Sequence, residues 1–297
     1  MSSFRPTMSQ VRICLWAVPR SVSTALTVSM SNLEDVQIIN QPYLSAFIVG
    51  PDSEGNLTTT LKRSLQETTD GVAMTYEGTW NSKDCSYKYM KENILEAEYP
   101  NKKVVFVKDM SLAIIKQIDM LPKGYRHAFL IRRPERVFSS LKDAHVRMDR
   151  LEDGGLIIGN GSDGVPDLYA FRESLQLYEY LIKTGIEPKP FIMDADDLLE
   201  NPESILRQFC KFAGIRYTDK LLNWRRGKEV RKDWKLSKEI LKWGDLGGWH
   251  KTTYGSTHFQ KPSPVLQRSE ISEDIQECID FSLPFYSKLY KLRVKIN

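Results

Sequence analysis

Five short apolar runs separated by helical stretches constrain this chain most. Residues 11–18 (VRICLWAV), 36–39 (VQII), 104–107 (VVFV), 127–131 (HAFLI) and 190–193 (PFIM) form the runs. Such segments predict strands buried on both faces of a sheet. Helical patterns fill the intervals at residues 21–33, 83–98, 110–120, 135–146 and 167–183. Asn201-Pro202 opens a further helix, ESILRQFCKFA, which closes at Gly214. Asparagine before the first turn, proline within it and glycine past the end are residues that helix ends favour. Strands alternating with helices predict an α/β fold, a parallel sheet flanked by helices on both faces. We read residues 1–297 as one domain with residues 1–10 flexible. Residues 152–166 (EDGGLIIGNGSDGVP) are too glycine-rich for a helix and read as a mobile loop, either plain surface or a lid over a substrate.

Composition narrows the class. Apolar residues make up 41%, charged residues 27%, and mean hydropathy is -0.39. These values argue against collagen, extended disorder and a membrane bundle, and no stretch approaches the ~20 apolar residues of a span. The net charge of +4 is too small to point to a nucleic-acid partner, yet it allows a local anion site. Cys14, Cys85, Cys210 and Cys278 form no CxxC pair, so neither a disulfide framework nor a metal site is expected. Residues 1–12 hold no apolar signal core, and a cytoplasmic chain is the expectation.

Two segments carry the chemistry. The first strand runs directly into Pro19-Arg20-Ser21-Val22-Ser23-Thr24-Ala25. In an α/β sheet, ligands sit at the carboxyl ends of strands, and a helix start offers unpaired N–H groups and partial positive charge. Here that place has a fixed cation and three hydroxyls, which suits a phosphate or a sulfate; the plainer reading is a helix cap. The second segment is Arg132-Arg133-Pro134-Glu135-Arg136, at the end of the fourth strand. Ser140 follows Pro134 by six residues, about 9 Å along a helix. Arg132 and Ser140 can therefore converge on one phosphate, or simply be surface charge at a helix entrance. The Walker pattern GxxxxGK[ST] is absent, and no glycine stands between Pro19 and Thr24. A hydroxyl-rich loop without a metal ligand suits a transferred group that carries less charge than a phosphoryl, as a sulfonyl does.

Together these segments resemble the sulfotransferases that use 3′-phosphoadenosine 5′-phosphosulfate (PAPS) and release its bisphosphate product PAP. That family has a P-[KR]-S-G-[ST]-T loop after its first strand, and here Pro19-Arg20-Ser21-Val22-Ser23-Thr24 stands in its place. Its 3′-phosphate motif is an arginine followed eight residues later by a serine, matched by Arg132 and Ser140. Leu198-Leu199-Glu200-Asn201-Pro202 and the helix after it match a third element, so the likeness covers roughly residues 11–215. The nearer likeness is to divergent sulfotransferase-like proteins with a WxVPRSVSTA loop and a VFVKDM strand end, which often carry aminotransferase-like labels. The resemblance implies a P-loop-like sulfotransferase fold, PAPS as donor, no metal, and a small-molecule hydroxyl or amine as acceptor. Arg20 would contact the transferring oxygens; Ser21, Val22, Ser23, Thr24 and Ala25 would hold the 5′-phosphosulfate; Arg132 and Ser140 would bind the 3′-phosphate. Looser matches set either Gly244, Gly247, Trp249 and Lys251 near the 3′-phosphate or Ser256-Thr257-His258-Phe259 near the adenine, and the plainer reading of the segment is a tryptophan-anchored surface loop.

The residues for proton transfer match less well. Lys108 ends the third strand and suits charge developing on the leaving group. Many relatives have a histidine two residues after that position, where this chain has Met110. Asp109 reads as a base or as the cap of the 110–120 helix. Others use a glutamate after the second strand; here Gln41 stands there and can orient an acceptor without removing its proton. Tyr43, Phe47, Tyr76 and Glu77 read as acceptor-pocket lining or as core, with Glu77 a further acidic candidate. His127 reads as structural and His145 as surface. His250 and His258 lie in the C-terminal loop, and His250 joins the catalytic candidates. Two other readings fit part of the pattern: a nucleotide-binding protein without catalysis, and a small-molecule kinase.

Overall fold

The computed structural model describes residues 10–53, 79–149, 170–246 and 248–296. Residues 1–9, the 152–166 loop, Tyr76 and Glu77 lie outside the described residues. Seven strands form one sheet: β1 (Val11–Ala17), β2 (Val36–Asn40), β3 (Thr79–Trp80), β4 (Val104–Asp109), β5 (Arg126–Ile131), β6 (Phe191–Asp194) and β7 (Lys235–Ser237). All pairings are parallel, in the order β3-β7-β2-β4-β1-β5-β6. The expected α/β architecture is present, with the five anticipated strands and two short edge strands of three and two residues.

Helices cover both faces because each strand alternates its side chains. Ile13, Leu15 and Ala17 of β1 pack with α1 (Ser23–Met30) on one face. Cys14 and Trp16 pack on the other with α2 (Pro42–Val49), α3 (Pro134–Asp149) and α4 (Phe171–Thr184). The first face also holds α5 (Ala195–Glu200) and α6 (Pro202–Ala213), which ends at Gly214 with φ 72° as its sequence predicts. Two helices follow, α7 (Lys238–Leu246) and α8 (Lys251–Gly255), before the long α9 (Glu273–Leu292) packs on the second face.

Two expected helices differ. Residues 83–98 break into a 3-10 turn, a restart at Ser86 and a π-helical stretch Met90–Leu95. Ser86 causes the restart: its hydroxyl accepts from Tyr89 N at 3.1 Å, as a helix cap does. Residues 110–120 form two 3-10 segments, Ser111–Ala113 and Ile115–Met120, interrupted where Gln117 leaves helical geometry.

This topology positions the site. After β1 the chain passes to the first face, whereas after β4 and β5 it passes to the second. β1 therefore ends at a reversal of connection sense with a strand on either side, where α/β sheets open a crevice at the carboxyl edge.

Candidate donor and acceptor site

The loop leaving β1 is held in an uncommon shape. Arg20 and Val22 both have φ 58°, the left-handed region that β-branched residues rarely enter. Val22 stands where the resembled motif has glycine. Its left-handed turn lets α1 start at Ser23 without a side-chain cap. The first N–H groups of α1, at Ser23, Thr24 and Ala25, have no partner within the helix by geometry. Ser21 takes another role than the sequence suggested. It is fully buried, and its hydroxyl donates to Val18 O at 2.7 Å, closing the loop on itself.

Three distant segments meet this loop. Arg20 Nε donates to Ser140 Oγ on α3 at 3.0 Å, and Arg20 Nη1 donates to Trp249 O at 2.7 Å. Arg132, just past β5, donates from Nη1 to Arg20 O at 2.9 Å. Thr24 Oγ1 and His250 Nδ1 share a hydrogen bond at 3.1 Å. The structure thus brings Arg20, Thr24, Arg132, Ser140, Trp249 and His250 to one place, from four parts of the chain.

Asp196, on the first turn of α5, is a member the sequence reading missed. Its carboxylate receives Arg136 Nε at 2.8 Å and lies 3.6 Å from Arg132 Nε. Its position just after a strand's carboxyl end was the available signal, the same one that identified Arg20 and Arg132. Burial lowers the Arg132 pKa, and Asp196 opposes that shift. Arg132 Nε is buried without a hydrogen-bond acceptor.

The opposite side of β1 carries Lys108 and Asp109, the last residues of β4. Lys108 is 3% exposed, and burial pulls its pKa down. Asp109 is corrected on both sequence readings. It is fully buried, and its oxygens accept from Tyr43 N at 2.6 Å, Leu44 N at 3.1 Å and Met110 N at 2.8 Å. It caps α2 from the neighbouring strand, because Pro42 has no N–H and Gln41, with φ 58°, gives no side-chain cap. A carboxylate occupied by three backbone donors inside the core is unavailable as a base; burial raises its pKa.

Of the two readings of Tyr43, pocket lining or core, the structure bears out the core. It is fully buried, stacks on Tyr87 with ring centroids 5.8 Å apart, and donates its hydroxyl to Met120 O. Its length and aromatic face fill the core. Phe47 packs partly buried against the same core. Gln41 remains at the carboxyl end of β2, its N–H donating to Lys108 O at 2.7 Å and its Oε1 accepting from Asn40 at 3.3 Å.

His127 is structural, as expected: Trp16 Nε1 donates to its Nδ1 at 3.1 Å, and burial lowers its pKa to about 4. Burial, then the Lys108, Arg20 and Arg231 cations, lowers the His250 pKa to about 3. Ser256 and Thr257 bond elsewhere. Ser256 Oγ donates to Thr253 O at 3.0 Å, and Thr257 O accepts from Trp224 N at 2.8 Å. A groove of about 700 Å³ bounded by Asn201, Arg207, Asn223, His258 and Phe259 shares no lining residue with the Arg20 cluster.

No protein-family model matches the chain. In sequence it is similar to branched-chain-amino-acid aminotransferase-like protein 2 of Arabidopsis thaliana, 24% identical over 92% of this chain. The chain spans 40% of that relative's length. In structure it is similar to the sulfotransferase domain from the Synechococcus PCC 7002 olefin synthase, with TM-score 0.44, 17% identity, and coverage of 93% of this chain and 96% of that one. It is also similar to retinol dehydratase in complex with androsterone and PAP, with TM-score 0.42, 14% identity, and coverage of 95% of this chain and 82% of that one. The solved structures it is similar to here are of the sulfotransferase kind in fold.

Proposed function

We propose that this chain transfers a sulfonyl group from PAPS to a hydroxyl or amine of a small-molecule acceptor. The observation that carries the reading is the Arg20–Ser140–Arg132 convergence on the start of α1. Two motifs that each suit one phosphate become a single site with two anion-binding ends. The residues fit the group: helix N–H donors, three hydroxyls nearby, and a buried Arg132 Nε that is ion-paired to Asp196 at 3.6 Å with no hydrogen bond made. Bound there, PAPS would supply a sulfur centre open to direct displacement.

The remaining roles belong to the chain. Ser23, Thr24, Ala25 and Arg20 would hold the 5′ end, and Arg132 with Ser140 the 3′-phosphate. Arg20 and Lys108 would supply positive charge for the leaving oxygen as it becomes negative. His250, neutral at pH 7, suits fixing the Thr24 hydroxyl better than accepting a proton, because so low a pKa makes a weak base. Gln41 would orient the acceptor. With Asp109 occupied by backbone donors, we keep Glu77 as the acidic group for the acceptor's proton.

Calorimetric titration with PAP, AMP and ATP–Mg²⁺ tests the donor site. Tight PAP binding with little for AMP supports the reading and justifies an acceptor screen with PAPS. Preference for ATP–Mg²⁺ would favour a kinase, and PAP binding without transfer to any acceptor would favour a nucleotide binder.

A further inference from the structure

One ionic cluster, built on a buried arginine, has no part in the roles above. Arg231 is 1% exposed. Its Nη1 and Nη2 donate to Asp245 Oδ1 at 2.9 Å and Oδ2 at 2.6 Å. Lys228 Nζ lies 3.0 Å from the same carboxylate. The guanidinium stands 5.2 Å from the centre of the Tyr254 ring, and Nη1 lies 3.4 Å from the Tyr254 hydroxyl. Buried ion pairs contribute little net stability compared with apolar residues of the same shape, and their best-attested use is to fix geometry.

The geometry fixed here is that of a short strap. Asp245 belongs to α7 and Tyr254 to α8, and Arg231 grips both. Between them stand Trp249 and His250. Trp249 N donates to Gly244 O at 3.1 Å, and Tyr254 N donates to His250 O at 3.0 Å. The His250 ring meets the Tyr254 ring edge-on at 5.8 Å. Gly244 leaves room for that ring: a Cβ there would stand 3.3 Å from His250 Nε2. The strap reaches the β1 loop at two points, Trp249 O on Arg20 and His250 Nδ1 on Thr24.

We infer that Arg231 is a positioning residue for the donor loop. By clamping Asp245 and Tyr254 it sets the strap so that Trp249 and His250 seat the Arg20 guanidinium and the Thr24 hydroxyl. Its purpose rests on the donor reading above; its geometry does not.

The test uses the full chain with Arg231→Gln, Arg231→Lys and Asp245→Asn. The His250 ring resonances, assigned with His250→Gln, are followed by nitrogen NMR without nucleotide. PAP affinity and urea unfolding are measured in parallel. Arg231→Gln and Asp245→Asn should both move the His250 resonances and weaken PAP about tenfold, the loss of one charge-assisted contact. Arg231→Lys, which keeps the charge without the planar fork, should fall between them and wild type. Should Arg231→Gln fail to fold, Asp245→Asn and Arg231→Lys carry the same comparison. Unmoved His250 resonances in the folded variants would overturn the inference, including where PAP affinity falls only with stability. Moved resonances in a protein whose wild type binds no PAP would uphold the positioning role and overturn the donor reading.

Discussion

Arg20 Nε donates to Ser140 Oγ at 3.0 Å, joining the loop after β1 to helix α3, 120 residues away. Arg132 Nη1 completes the link at Arg20 O, 2.9 Å away. Arg20, Arg132 and Ser140 are therefore parts of one hydrogen-bonded unit.

That unit predicts a selective loss. Arg132→Ala should weaken PAP by about 1.5–3 kcal/mol, roughly 10- to 100-fold, as removal of a hydrogen bond to a charged group does. AMP, which lacks the 3′-phosphate, should lose far less, only what the lost Arg132–Arg20 hydrogen bond costs the loop. Calorimetry on both ligands decides it, and equal losses would dismiss the assignment.

Asp109 should behave as a structural cap. Asp109→Ala leaves the Tyr43, Leu44 and Met110 N–H groups without their acceptor in a fully buried place. Each orphaned donor costs about 1–3 kcal/mol, so a loss of at least ~3 kcal/mol is expected in urea unfolding. Asp109→Asn, which retains one acceptor oxygen, should lose less. A fully stable Asp109→Ala would contradict the cap.

Acid should weaken the fold partly through His250. Its folded pKa, about 3, lies below the ~6.5 of an unfolded chain. Between those values the unfolded chain binds more protons, so stability rises with pH and falls on acidification. The slope approaches ~1.4 kcal/mol per pH unit at most for one histidine. His127, at about 4, adds in the same sense, while Asp194, raised by burial to about 6, acts in the opposite one between ~4 and 6. His250→Gln should flatten the dependence between pH 6.5 and 4, read from urea midpoints. An unchanged slope would show that the imidazole is not held neutral.

Val22 offers a backbone test. A residue with a side chain at φ 58° carries about 1 kcal/mol or more of left-handed strain, which glycine lacks. Val22→Gly should therefore stay within about 1 kcal/mol of wild type, strain relief offsetting lost packing and added chain entropy. Val28→Gly, in the buried middle of α1, should cost ~3 kcal/mol or more. Equal losses at the two positions would refute the strain.

Much of this was legible in sequence where local chemistry and tertiary structure agree. β1, β4 and β5 are apolar runs long enough to show, and Pro202 and Gly214 bracket α6 as helix ends require. Arg20 and Arg132 could be placed at one sheet edge because each directly follows an apolar strand run, and Ser140 was brought near them by its six-residue spacing from Pro134. Asp109 was misread because its partners lie 65 and 66 residues away, on a helix whose own first residues cannot cap it. Tyr43 stayed open between pocket and core because an aromatic residue in a core and one in a pocket look alike in sequence. Arg231 and Asp245 gave no signal at all: a buried ion pair fourteen residues apart looks like two solvated charges until the chain folds.

The reach of the Arg20 contacts has a kinetic consequence. Its hydrogen bonds span 120 residues to Ser140 and 229 to Trp249, so neither can form while the chain has only local structure. Closing such long loops must await pairing of β1 with β5 and arrival of the C-terminal strap, steps that topology makes slow. Capacity to hold an anion should therefore emerge among the last events of refolding, well after most helical signal has returned. A stopped-flow record of helical circular dichroism set beside ligand capture would separate the two phases.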